Sequence, residues 1–159
     1  MHVWLTDWQV AEDHLLIRVG DTIDWTLYPA DRSWVSRLLG DRLVIDWQFD
    51  TYGDAVDQPA LRVSGEVAEL RSVRCRQIQT DDGFVPVIGE ATLQPVADTS
   101  GSWMRLARQE ESAAVPGAET ITCKFPYTSS GDSVEAEDLY GYVLSLAGSD
   151  GDCGSAEAR

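Results

Sequence analysis

Arg71, Arg74 and Arg76 stand together in the run RSVRCR and form the one dense basic cluster of the chain. Strand alternation places Arg74 and Arg76 on one face, opposite Val73 and Cys75. Two guanidiniums on one face can grip a phosphate or a carboxylate in fork geometry. The competing use of the same charges is cross-strand pairing with Glu66, Glu69 or other acids. These three arginines are the anion-binding candidates. Six tryptophans form the second constellation. Trp25, Trp34 and Trp47 lie on apolar faces and are expected to fill a core. Trp4 and Trp8 lie opposite Val3 and Leu5 on a first strand. They are the candidates for exposed aromatic contacts with a partner, although single surface aromatics also occur without a role. Asp46 and Asp50 share a strand face, with Asp54 and Asp57 following in a loop. A carboxylate row of that kind could meet a basic surface or imitate phosphates.

Other chemistries find less support. His2, Glu12, Asp13 and His14 are metal-ligand types, but adjacent residues point different ways and no second histidine-rich element converges on them. No metal and no cofactor is expected. There is no G-x-S-x-G elbow, no phosphate-binding P-loop, no H-E-x-x-H and no G-x-G-x-x-G. Only His2 and His14 could serve a nucleophile as base. Ser149, Asp150, Gly151 and Asp152 resemble part of a calcium loop without its remaining ligands. The sequence therefore offers no catalytic residues.

Charge narrows the partners. The 159 residues carry 12 basic and 27 acidic side chains, a formal net charge of −15. Phosphate binding rests on Lys and Arg, so direct binding of nucleic acid by the whole surface is not expected. Two acidic stretches, 1–60 and 129–159, flank a nearly balanced middle, a distribution that steers toward basic partners. No apolar run reaches the roughly 18 to 20 residues of a membrane-spanning helix. The start, MHVWLTDWQV, lacks the basic region of a secretory signal. Cys75, Cys123 and Cys153 are odd in number and form no CxxC pair, which fits a reducing, cytoplasmic setting.

The elements that must position these residues are mostly strands. Val3, Leu5 and Asp7 alternate with Trp4, Thr6 and Trp8. Ile23, Trp25 and Leu27 alternate with polar neighbours, and so do Leu43, Ile45, Trp47 and Phe49. Such alternation predicts half-buried antiparallel strands. Further strands are expected around 63–75, at 84–88, 90–96, 120–125 and 139–146, with TDDGF at 80–84 as a hairpin turn. Gly65 and Gly89 suggest bulges or sharp bends. Loops are expected at 51–60, 97–101, 112–118 and 128–138. One helix is well marked at 31–39. Asp31 caps it, Trp34, Val35, Leu38 and Leu39 form its stripe, and Gly40 ends it. Residues 102–111 read as a second short helix or a strand. The expected fold is mainly β, a small antiparallel barrel or curled sheet of SH3-like or OB-like kind. It spans residues 1–146, and 147–159 are expected to form a disordered acidic tail.

The motifs DWQ at 7–9, VGDTIDWTL at 19–27, DRSWVSRLLG at 31–40, SVRC at 72–75 and GYVLSL at 141–146 occur in an order that resembles a family of small uncharacterised actinobacterial proteins. The resemblance implies one compact domain and a bacterial cytoplasmic setting. In that family a cysteine pair commonly follows the WQ motif. Val10, Ala11 and Glu12 stand there instead, so no cysteine-based role carries over. The V-G-D-x-x-x-W stretch also looks like a strand–turn–strand piece of SH3-like barrels, a likeness of fold alone.

Three functional expectations result. The first is a non-enzymatic protein-interaction module that binds a basic protein through Trp4, Trp8, Asp46 and Asp50, in a salt-sensitive way. The second is a small-molecule-binding barrel, with or without catalysis, in which Arg74 or Arg76 grips an anionic group. The third is an acidic inhibitor that imitates nucleic acid. A pocket containing the arginines favours the second, and a continuous acidic ridge favours the third.

Overall fold

The computed structural model describes residues 1–51, 55, 57–81, 83–102 and 137–148. The expected features at 103–136 and 149–159 lie outside these residues. They include Trp103, Cys123, Cys153, the strand at 120–125 and most of the tail, and Asp54 is outside them too.

The chain runs β1 (His2–Thr6), α1 (Asp7–Glu12), β2 (Thr22–Pro29), α2 (Arg32–Leu39), β3 (Trp47–Gln48), β4 (Leu61–Thr80), β5 (Gly83–Pro86), β6 (Thr92–Pro95) and β7 (Glu137–Ala147). All seven strands belong to one sheet. Its order β2–β3–β1–β7–β4 closes into a ring because β4 also pairs with β2. The fold is therefore mainly β, as the alternation predicts. The hairpin at TDDGF is the β4–β5 turn, with Thr80 opposite Gly83. Residues 137 and 138, expected in a loop, begin β7. Among the described residues no helix is long and apolar enough to cross a membrane.

Two apolar layers meet at the ring wall. Val3, Leu5, Ile23, Leu27, Val63, Val67, Leu70, Tyr142 and Leu144 fill the inside. Trp4, Val73, Cys75 and Val143 face the other way, under Val35, Leu38 and Leu39 of α2. Period two alone assigns one wet face to each strand. Here the second face of β1 is covered as well, because α2 docks on it.

Two bulges decide which β4 residues look inward. Val67 pairs with Leu146 and Glu69 with Ser145, so Ala68 is the extra residue on β4. Val73 pairs with Gly141 and Arg74 with Leu139, so Tyr140 is the extra residue on β7. An extra residue flips the facing of everything beyond it. After Ala68 the inward residues of β4 are Leu70, Ser72 and Arg74. Gly65, expected as a bulge, pairs regularly with Ile23, and Gly89 sits in a turn at φ +72°.

Two strand expectations are corrected. The first strand stops at Thr6, and Asp7 opens α1. Asp7, Val10 and Ala11 are buried at helical spacing, and an acid in the first turn suits the helix dipole. The alternation over 43–50 yields only a two-residue strand, Trp47–Gln48, parallel to Val3–Trp4. Its polar partner face is not solvent. Gln48 accepts from the Asp31 amide at 3.1 Å, under the start of α2.

The α2 cap is as expected. The Asp31 carboxylate accepts from the Ser33 amide at 2.9 Å and the Trp34 amide at 3.1 Å. Replacing Asp31 by alanine should cost about 1 kcal/mol in denaturant unfolding. The Ser33 hydroxyl, first, and then the Trp34 amide hold the Asp31 carboxyl below its usual value. A lowered carboxyl stabilises the fold above its unfolded pKa, and that part is lost as pH falls through the folded value. The Asp31→Ala difference should therefore shrink at acid pH; a difference constant from pH 7 to pH 2 would contradict the cap.

Candidate functional site

The inner face of β4 changes character beyond Leu70. Ser72 and Arg74 replace the aliphatic residues there, and the strands on either side continue the change. Ser72 is opposite Gln94 of β6 and Tyr142 of β7. The segment 97–101 crosses this end of the ring, tied down by Val19 donating to Ala97 and by Thr99 donating to Ile17. The result is a pocket of about 300 Å³ lined by Ser72, Arg74, Gln94, Asp98, Ser100 and Tyr142, among others. Polar groups converge on it from three separate stretches of the chain, as ligand pockets require.

A buried chain of hydrogen bonds underlies the pocket. The Ser102 hydroxyl donates to Asp7 Oδ1 at 2.6 Å and lies 3.0 Å from the Tyr142 hydroxyl. Tyr142 also reaches the Thr99 carbonyl at 3.3 Å. Asp7, Ser102 and Tyr142 are all buried. A buried carboxylate is costly unless it accepts hydrogen bonds, and Ser102 supplies one. Burial, foremost, pushes the Tyr142 phenol above its ordinary pKa, so it stays protonated through neutral pH. Asp98 behaves oppositely. The Ser100 hydroxyl, and then the Ser100 amide, hold its carboxyl below the usual range, so it is ionised.

The three candidate arginines separate. Arg71 faces the outer side and forms a two-pronged pair with Glu69, at 2.8 and 2.7 Å. Arg76 pairs with Glu90 at 2.7 Å. Arg74 lines the pocket, and its guanidinium has no carboxylate or hydrogen-bond partner among the described residues. The shared face of Arg74 and Arg76 thus leads to different surroundings.

The partner-contact candidates also separate. Trp4 is 1% exposed and is corrected from surface to core, because α2 covers its face. Trp8 is 46% exposed on α1. Asp46 is exposed and pairs with Arg32 at 2.7 Å. Asp50 is corrected to a buried position, where its carboxylate accepts from the Thr6 hydroxyl at 3.2 Å. Asp46 and Asp50 therefore form no ridge. Trp25 and Trp47 are half-buried at the border of the inner core, Trp25 against Phe49 at 4.6 Å between ring centres, while Trp34 packs on the outer core beside Tyr140. Cys75 is buried and donates to the Val87 carbonyl at 3.3 Å. Burial raises its pKa, so it is no reactive thiolate. Among the described residues no three His, Cys, Asp or Glu side chains converge.

A second hollow, of about 480 Å³, lies along α2 between Asp31, Trp34, Arg37 and Ile88. Its polar groups come almost entirely from one short helix, so they converge less. Sequence reasoning missed Ser72, Gln94, Asp98, Ser100, Ser102 and Tyr142. One signal was present: Asp7 shares the period of Val3 and Leu5, and an acid on an apolar face needs a buried partner.

A family model matches residues 1–147, nearly all of the chain and every segment that builds the pocket. The chain belongs to DUF6578, a family of unknown function. No curated protein and no solved structure matches it. Within this DUF6578 member, the pocket beside Arg74 is the place where geometry and charge coincide.

Proposed function

We propose that this protein binds a small ligand through an anionic group held by Arg74. The observation that carries this reading is that the Arg74 side chain, at the pocket, has no carboxylate partner among the described residues. Four arginines of the described residues form ion pairs with carboxylates, and the chain has acids in more than twofold excess over bases. An arginine that pairs with no carboxylate among the described residues, at a pocket lined also with hydroxyl and amide groups, is available to an incoming carboxylate or phosphate. The setting proposed is the cytoplasm of a bacterium, which suits the free Cys75 thiol.

Titration calorimetry of the protein with acetate, propionate and inorganic phosphate tests the reading. At least one of these anions should bind, and Arg74→Gln should weaken it about tenfold or more, as expected for losing a charged hydrogen-bond pair. Equal affinity of the variant, or no binding of any anion by the wild type, would remove Arg74 as the anchor.

A protein contact is the second reading, and the exposure of Trp8 favours it. The exposed acids Glu12 and Asp13 adjoin it in sequence, so the partner would be basic. Gentle purification followed by native mass spectrometry distinguishes the two readings. A stoichiometric protein that Trp8→Ala releases supports the contact, and a bound small mass supports the pocket.

A further inference from the structure

We infer that the ligand of the Arg74 pocket is a zwitterion of the amino-acid type, with its carboxylate on Arg74 and its ammonium facing Asp98 and the Tyr142 oxygen. This inference rests on the anion reading above and adds the second half of the ligand.

Three observations carry it. The first is charge. Asp98 lines the same pocket as Arg74, and its carboxylate is ionised. The Ser100 amide and hydroxyl occupy part of its accepting capacity, and Arg18, bridged to it along the backbone, adds a weaker attraction, while a carboxylate can accept at about four positions. A ligand that is only anionic would meet this charge unfavourably. One that also carries an ammonium meets a partner of the right sign.

The second is the direction of the Tyr142 proton. Ser102 gives its one hydroxyl hydrogen to Asp7. Ser102 can then only accept from Tyr142, and the other near partner of the phenol, the Thr99 carbonyl, can only accept as well. The Tyr142 hydrogen is committed to the interior either way. What the phenol offers a ligand is an oxygen lone pair, which calls for a donor.

The third is Gly101. Its backbone is not in the left-handed region, so glycine is not required by conformation there. A Cβ at this position would lie 3.2 Å from the Tyr142 hydroxyl oxygen. The missing side chain keeps a methyl from closing over that oxygen at the edge of the pocket, which Gly101 and the otherwise buried Tyr142 both line. The volume, about 300 Å³, is at the small end of ligand pockets and suits one amino acid better than a peptide.

Titration calorimetry at pH 7 with the twenty free L-amino acids tests the inference. Each one that binds is compared with its deaminated carboxylic acid, and propionate and inorganic phosphate serve as anion-only probes. At least one amino acid should bind about tenfold or more tightly than its deaminated partner. Asp98→Asn, which keeps the shape of the side chain, should abolish that advantage while the deaminated acid binds at least as tightly as to the wild type, because a repelling charge is gone. Gly101→Ala should weaken the amino acid as well. If Asp98→Asn fails to fold, Tyr142→Phe removes the second acceptor and should reduce the same advantage. Binding of propionate or phosphate with no preference for any amino acid would overturn the inference and leave the anion reading standing. An undiminished preference in a folded Asp98→Asn protein would also overturn it. No binding by any probe would end both.

Discussion

Gly141→Ala should destabilise the fold by roughly 3 kcal/mol, the upper part of the range for overpacking a tight interior. Gly141 lies in β7 with β1 on one side and β4 on the other. A Cβ there would overlap the Leu5 backbone carbonyl and lie 2.8 and 3.0 Å from two carbons of the Trp4 ring. A flexible side-chain tip could give way at little cost. A carbonyl within a paired strand cannot move without disturbing the β1–β7 ladder, and Trp4 is held by α2. Urea unfolding measures the effect. Gly101→Ala is the control, since its Cβ would meet only a hydroxyl at 3.2 Å, and it should cost less than about 1 kcal/mol. A wild-type midpoint for Gly141→Ala would mean that β7 does not approach β1 this closely.

Trp4→Ala should cost about 3–5 kcal/mol, the usual toll of emptying a buried aromatic site. Trp8→Ala should stay within about 0.5 kcal/mol, as surface substitutions do. The contrast is informative because plain alternation puts both residues on one strand face. Trp4 is enclosed by Val35, Leu38, Leu39 and Val143, whereas Trp8 is carried onto the exterior by α1. Trp4→Phe should recover most of the loss, because the buried Trp4 indole Nε1 has no hydrogen-bond partner among the described residues. Equal effects of Trp4→Ala and Trp8→Ala in the same unfolding experiment would contradict the docking of α2 on β1.

Local chemistry was enough for the elements whose cause is local. Asp31, the stripe Trp34–Val35–Leu38–Leu39 and Gly40 mark α2 because a cap, a helical period and a left-handed terminus are properties of adjacent residues. TDDGF marks the β4–β5 turn for the same reason. Alternation at 22–27 and 139–146 identified β2 and β7, and with them the mainly β fold. It overextended β1 through Asp7 and Trp8, although Asp7, Val10 and Ala11 already carried the helical spacing of α1.

The site was legible only in its arginines. Arg71, Arg74 and Arg76 were visible as a cluster, but which of them stays unpaired depends on where Glu69 and Glu90 lie. That is settled by the strand face and by the fold of the 87–91 turn. The facing of Ser72 and Arg74 depends on one extra residue at Ala68, and a bulge changes the parity of a strand without leaving a periodic trace. Gln94, Asp98, Ser100 and Tyr142 come from segments up to 70 residues away from Ser72. The sequence by itself determined a strand-rich acidic domain, its capped helix and its candidate arginines, because those follow from neighbours along the chain. The tertiary structure alone decided that Trp4 and Asp50 are inside, that Arg74 meets no carboxylate partner among the described residues, and that Asp7 supports Tyr142 through Ser102, because burial and charge pairing are set by what the ring brings together.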